Sequence, residues 1–370
     1  MLSLKNLAAL QRIEACDQPQ PAHVSILLPV LNEAERIGNC LRGLVKQPAE
    51  VREILVIDGG STDGTRVIVE RYRRSDSRIK LLDATPVDES WTGKSWGLNF
   101  GLLNSSSNSQ WILCVDADVE VSPLLVRSLL AHARRTGIST FSVAARQRLS
   151  GPIDGLIHPA LLTTLVYRFG PPGGATRDPH NVQANGQCFI SRRETLIQTQ
   201  AFARAQASLC EDITIARRLA ECGEAVGFYE ADVPVEVTMY PNWRETWRNW
   251  PRSLPMRDQY FGWREVGGLI RVLVFQALPL PVFVLAWIFG APLWIVVISA
   301  LFLLARIGIL VGVARAYPRR VWSYWLSPLF DLPVVLRVIA SALARHQTWR
   351  GRSYLRRKGG RFEPAGTRVP

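Results

Sequence analysis

The chain has 370 residues, 48% of them apolar and 20% charged, with a net charge of +13. That balance argues against wholesale disorder and supplies enough apolar surface for a large core. Cys16, Cys40, Cys114, Cys188, Cys210 and Cys222 form no C-x-x-C pair, which argues against a disulfide scaffold or a zinc ribbon.

No basic stretch followed by an apolar run opens the chain, so no secretory signal is expected. The charge is localised. From Ala314 to Pro370 there are 12 Lys/Arg against 2 Asp/Glu, leaving about +3 for the rest. The basic stretch follows the most apolar part of the chain, a pattern that suits anionic lipid rather than nucleic acid.

Residues 1–22 read as a peripheral N-terminal segment. Short apolar runs then recur: Val24–Pro29, Ile54–Ile57 ending in Asp58, Ile79–Leu82, and Trp111–Val115 ending in Asp116. Helical patterns of about 15 residues separate them, the first opening at Asn32-Glu33. Continuously apolar strands alternating with helices predict an α/β fold with a mostly parallel sheet covered on both faces. In such sheets ligands sit at the carboxyl ends of the strands. Gln187–Ser191 and Ala225–Tyr229 read as further strands of a domain over 23–239.

Residues 240–268 interleave Trp243, Trp247, Trp250 and Trp263 with Arg244, Arg248, Arg252, Arg257 and Arg264 at helical spacing. That composition fits helices lying at a membrane interface. Val272–Phe289 and Pro292–Ala314 are each near the roughly 20 residues that span a bilayer. Gly290-Ala291-Pro292 would turn them into a transmembrane hairpin over 269–314. Arg315, Arg319 and Arg320 put that end in the cytoplasm. Leu326–Ala344 holds Pro328, Asp331, Pro333 and Arg337. It reads as a re-entrant or interfacial helix, followed by a basic cytoplasmic tail to residue 370.

Four motifs carry candidate chemistry. Asp116-Ala117-Asp118 ends the fourth strand. Two carboxylates there can hold Mg²⁺ or Mn²⁺, with Glu120 as a further ligand, although solvated loop acids show the same triplet. Asp58–Thr65 is Gly-rich, and Asp58 can accept from a base or ribose; a helix-capping turn is the alternative. Gly93-Lys94 at a helix start suits an anion, or is a surface lysine. Glu211-Asp212 heads another helix, either as caps or with one carboxylate as a general base. The histidines form no metal-spaced pair.

In order, VSILLPVLNE (24–33), ILVIDGGSTDGT (54–65), Gly93-Lys94, VDAD (115–118), NGQCFIS (185–191) and Glu211-Asp212 resemble the inverting family 2 glycosyltransferases of the GT-A fold. The resemblance spans about residues 22–260. The hairpin and the Thr348–Arg352 tail extend it to membrane-bound members that glycosylate lipids, and among these the Tyr240–Tyr260 stretch most resembles carotenoid glycosyltransferases, then ceramide and hopanoid enzymes.

The resemblance implies a nucleotide-sugar donor (a UDP-sugar favoured) and a divalent metal. It places Pro29, Glu33 and Asp58 on the nucleoside, and Lys94 and Asp116 near the donor's ribose and phosphates. Asp118 becomes the main metal ligand and Asp212 the catalytic base. The family's Q/R-x-x-R-W motif is not matched by Arg248-Asn249-Trp250-Pro251-Arg252, where Arg252 is the candidate phosphate contact. The expected partners are a nucleotide sugar, a lipid acceptor and the bilayer, with no nucleic acid and no obligatory protein. A polyprenyl phosphate acceptor and nucleotidyl transfer are the alternative readings.

Overall fold

The computed structural model describes residues 10–349, 352–357 and 361–364. Met1–Ala9 of the N-terminal segment and Arg350-Gly351 of the tail motif lie outside the described residues. The chain forms two compact units. One comprises Met1–Ala145, Pro172–Val237 and Thr348–Pro370; the other comprises Arg146–Pro171 and Thr238–Gln347.

The first unit is built on a mixed sheet. Its strands are β1 (Arg12–Ile13), β2 (Val24–Val30), β3 (Val51–Asp58), β4 (Ile79–Asp83), β5 (Trp111–Val115), β6 (Val119–Val121), β7 (Thr140–Val143), β8 (Gly174–Thr176), β9 (Cys188–Arg192), β10 (Val226–Ala231) and β11 (Val235–Val237). The main sheet runs β1-β10-β7-β9-β5-β2-β3-β4, with β8 on β10. β2 pairs in parallel with both β3 and β5, and β3 with β4.

These central strands are buried on both faces. Ile26, Leu27, Leu28, Ile54, Leu55, Val56, Ile112 and Leu113 are fully enclosed, so the apolar runs are continuous rather than alternating. The sheet is not wholly parallel. β9 lies antiparallel between β5 and β7, and β8 is antiparallel to β10. Such a reversed strand is equally apolar, so its direction leaves no mark in the hydrophobic pattern.

The intervening helices are shorter than the expected 15 residues. They are α1 (Ile37–Leu44), α2 (Thr65–Ser75), α3 (Gly93–Leu103) and α4 (Leu125–Thr136), with α5 (Glu211–Glu221) further on. The first opens at Ile37 rather than Asn32, because Asn32 takes φ 54° and the next residues form turns. α3 packs closely on the sheet: a Cβ at Gly101 would lie 2.8 Å from Ile57 Cδ1. In the C-terminal strands, Tyr354 and Phe362 are buried, and the Phe362 N–H donates to the Ala207 carbonyl at 2.9 Å.

The second unit is helical. Arg146–Pro171, expected within the first domain, groups here because Ile157, Ala160 and Leu161 of helix Pro152–Phe169 pack with Trp250, Leu254, Leu269, Val334 and Val338. Helices Trp243–Ser253 and Trp263–Val272 carry the Trp/Arg pattern.

Among the described residues two helices are long and apolar enough to cross a membrane by length and composition, Leu293–Ala316 and Trp322–Leu343. The pair Trp263–Ala277 and Pro279–Ile288 meets the same test together, bent by 42°. The bend has a cause: Pro279 and Pro281 lack the N–H groups that would close the preceding turns, and Leu273–Ala277 is π-helical. Gly290, at φ 64°, makes the turn into the next helix.

Around that turn the apolar side chains face outward: Trp287 is 73%, Phe289 79% and Leu293 76% exposed. The unit's interior holds a buried polar cluster around Arg306. Arg306 Nε donates to Asp331 Oδ2 at 2.7 Å and its Nη2 to Ser327 Oγ at 3.2 Å. Gln276 Nε2 donates to Asp331 Oδ1 at 2.8 Å and to the Ala160 carbonyl at 2.8 Å.

Candidate active site

Three parallel strands end side by side, with Val30 opposite Asp58 and Asp58 opposite Asp83. Asp58 is fully buried; it accepts from the Ser61 N–H at 3.0 Å and from Arg66 Nη1 at 3.1 Å, and Arg66 also reaches Asp83 at 3.0 Å. The loop after β3 is stitched to the loop after β2. Asn32 N–H donates to Ser61 Oγ (2.9 Å), Thr62 N–H to Asn32 Oδ1 (2.8 Å), Glu33 N–H to Thr65 Oγ1 (2.8 Å) and Ala34 N–H to Asp63 Oδ2 (3.0 Å). Glu33 is buried beside Arg36 at 2.7 Å. Ser61, Thr62 and Asp63 thus do structural work that the Gly-rich motif alone did not reveal.

A small cleft, part of it open to solvent, lies beside this rim. Its walls bring together Pro29, Lys94, Asp116, Glu211 and Asp212, with Leu98, Phe189, Phe202 and Ile215 as the apolar lining. Lys94 is in the first turn of α3, and its Nζ lies 2.8 Å from Asp116 Oδ1 and 2.7 Å from Glu211 Oε1. Burial opposes its charge, but Asp116, Glu211 and Asp212 together push its proton affinity well up. The ammonium therefore stays charged and can face an anion.

Asp212 sits in the first turn of α5 and accepts from the Gly186 N–H at 3.1 Å and the Ile213 N–H at 2.8 Å. Burial, then the Glu211 carboxylate, push its pKa up to about 6, against the pull of Lys94 and the two amides. A carboxylate so placed is ionised near neutrality yet holds a proton more firmly than an ordinary aspartate, as a general base requires. Gly186 is fitted to this spot: a Cβ there would lie 2.9 Å from Lys94 Nζ and 3.4 Å from Asp212 Cβ.

Asp118 follows in the turn between β5 and β6. Burial first, then Asp116 and Glu33, push its pKa up to about 7, against Arg36 and Lys94. Its Oδ1 is enclosed and has no hydrogen-bond partner among the described residues. A buried carboxylate oxygen without a donor, beside further acids, fits a hard divalent cation. Residues 117 and 118 turn rather than run extended, so the alternation that put Glu120 on the same face does not hold. Glu120 accepts from Asn39 Nδ2 at 3.2 Å. Among the described residues no three His, Cys, Asp or Glu side chains form a metal-holding group. Arg252 lies in the last turn of helix Trp243–Ser253, in the second unit.

The sequence marks Glu211 only as half of the Glu211-Asp212 pair, with no role of its own. Its signal was its place in a helix's first turn, which reads equally as a cap.

Residues 25–198 match the profile described as Glycosyl transferase family 2. Among curated relatives, Glycosyltransferase AglE of Haloferax volcanii is 34% identical over 85 residues, 22% of this chain and 27% of that protein. The 4,4'-diaponeurosporenoate glycosyltransferase of Staphylococcus aureus is 33% identical over 96 residues, 26% of this chain and 24% of that protein. The chain thus spans about a quarter of the length of these two relatives. Among solved structures, the mannosyltransferase PcManGT of Pyrobaculum calidifontis, in complex with GDP-Man and Mn²⁺, aligns with TM-score 0.54 at 18% identity, covering 88% of this chain and 90% of that one. The fold is the mixed α/β GT-A fold, followed by apolar helices able to cross a membrane. The matched domain and its relatives support a glycosyltransferase enzyme.

Proposed function

We propose that the chain transfers a sugar from a nucleoside diphosphate sugar to a hydroxyl of a membrane lipid, a carotenoid or a similar apolar acceptor, with inversion at the anomeric carbon. The observation that carries the reading is the gathering of Asp212, Lys94 and Asp116 on one cleft at the strand ends, with Asp212 held near pKa 6. Asp212 takes the proton of the acceptor hydroxyl. The oxygen attacks the anomeric carbon from the face opposite the diphosphate, and the nucleoside diphosphate leaves with the bonding pair. Pro29, Glu33 and Asp58 hold the nucleoside, and Lys94 faces the phosphates. Asp118, with Asp116, would hold a divalent cation, which neutralises diphosphate charge when bound.

The apolar acceptor fits a chain whose helices near Gly290 turn Trp and Phe side chains outward. The pairing of Phe362 with Ala207 supports a tail on the same side as the catalytic unit, hence a hairpin of two crossings with Trp322–Leu343 not crossing. By the basic residues that follow the hairpin, that side is the cytoplasm.

The test is mass spectrometry of lipid extracts from cells with and without the protein, followed by transfer assays with purified protein, lipid vesicles and each nucleotide sugar. The expected result is one lipid species heavier by a sugar residue, stable to mild alkali, with release of a nucleoside diphosphate. An alkali-labile product would mean an acid acceptor, a carboxylate or a phosphate, rather than a hydroxyl, and pyrophosphate release would mean nucleotidyl transfer; either refutes the proposal.

A further inference from the structure

Glu211 has no role in the chemistry above, yet it makes the shortest contact to Lys94, 2.7 Å against 2.8 Å to Asp116 Oδ1. Its side chain is 13% exposed and that of Lys94 27%, so the pair is held in one geometry rather than averaged by water. The start of α3 is also tied by hydrogen bonds to the carbonyls of the segment that leads into α5. Thr92 N–H donates to the Gln206 carbonyl (2.7 Å), Thr92 Oγ1 to the Ser208 carbonyl (3.0 Å) and Ser95 Oγ to the Ala205 carbonyl (3.0 Å). Asp212 is the third carboxylate acting on the same ammonium.

We infer that Glu211 is a positioning residue that holds the Lys94 ammonium on the Asp116 side of the cleft and keeps it off Asp212. One ammonium among three carboxylates settles against those nearest. Without the Glu211 charge, Asp212 becomes the next acid in reach. An aspartate paired to an ammonium is a weaker base, and the ammonium occupies the approach of the acceptor hydroxyl. With Glu211 in place, Lys94 faces the donor and Asp212 keeps its free lone pairs for the acceptor.

The inference rests on the transferase reading, and its test separates the two. In full-length protein, Glu211→Gln should lower kcat by about 10- to 100-fold while donor KM changes by less than about 3-fold. Glu211→Asp should recover part of the loss. In a Lys94→Met background the Glu211→Gln loss should shrink to within about 2-fold, because Glu211 acts through Lys94. A full multiplicative loss there, or a rise in KM with kcat intact, overturns the inference.

A second readout needs no turnover. The thermal-unfolding coupling between Lys94→Met and Asp212→Asn should be larger in the Glu211→Gln background than in the wild type. Equal coupling in both overturns the inference. A wild-type protein that moves no sugar from any nucleotide donor refutes the transferase reading, and the unfolding cycle still decides where Lys94 goes.

Discussion

Replacing Asp212 by Asn should make the protein inactive and more stable at once. The carboxyl has its pKa raised from 3.8 to about 6, first by burial and then by Glu211. For an acid with a raised folded-state pKa, the native state binds the proton more tightly than the unfolded chain. Stability therefore falls as pH rises from about 4 to about 6, and the full cost persists above that window.

A shift of about two units corresponds to roughly 3 kcal/mol. Asn offers one acceptor oxygen where the carboxylate offers two, so one of the amides of Gly186 and Ile213 loses its partner. That loss trims the expected gain to about 1–2 kcal/mol. Thermal unfolding of both proteins should show the variant ahead at pH 8 and behind the wild type by about 1 kcal/mol near pH 4, where the charge cost has largely gone and the lost hydrogen bond remains. Turnover should drop by about 10²–10⁴-fold. The wild-type kcat profile should lose activity on its acid side around pH 6. A variant no more stable at pH 8, or one with near-full turnover, would refute the assignment of Asp212 as a buried base.

Chelation should stop transfer, Mn²⁺ or Mg²⁺ should restore it, and Asp118→Asn should raise the metal concentration for half-maximal rate by about 10-fold or more; full activity in EDTA is the contrary result. Gly186→Ala puts a methyl 2.9 Å from Lys94 Nζ, the movable end of a long side chain. Its unfolding temperature should barely change while kcat falls by about 10- to 100-fold, since small misplacements at a reacting centre cost that much. Asp331→Asn leaves the Arg306 guanidinium buried with its partner neutralised, so thermal stability in detergent should drop by about 3–5 kcal/mol. Converting Arg306 and Asp331 both to Leu should recover most of it, and a double variant as unstable as the single one would refute that account.

Much of this fold could be read in the chain because burial on both faces leaves a plain mark. The runs at Val24, Ile54, Ile79 and Trp111 all became strands of the main sheet. The reversed strand Cys188–Arg192 was located but not its direction, since pairing direction depends on distant partners rather than on local residue order. Thr140–Val143 went unseen: it is four residues long and half polar, and it owes its place to β9 and β10 on either side. At the site, Lys94 and Asp212 stood out as motif residues, and the cleft brings them together. Glu211 entered only as half of the Glu211-Asp212 pair and Gly186 only as part of NGQCFIS, neither with a role of its own. Their part depends on contacts across a loop that returns more than 90 residues after Lys94, which no local spacing encodes.

The bond between Phe362 and Ala207 joins the chain's end to the segment that leads into the Asp212 helix. Phe362 leaves the ribosome only after every apolar helix has been made. A nascent or clipped chain can thus hold all its acids and its lysine while this clasp is still open. The strand that carries Phe362 closes against the first unit only after these apolar helices exist, so this contact of the unit is made late in synthesis.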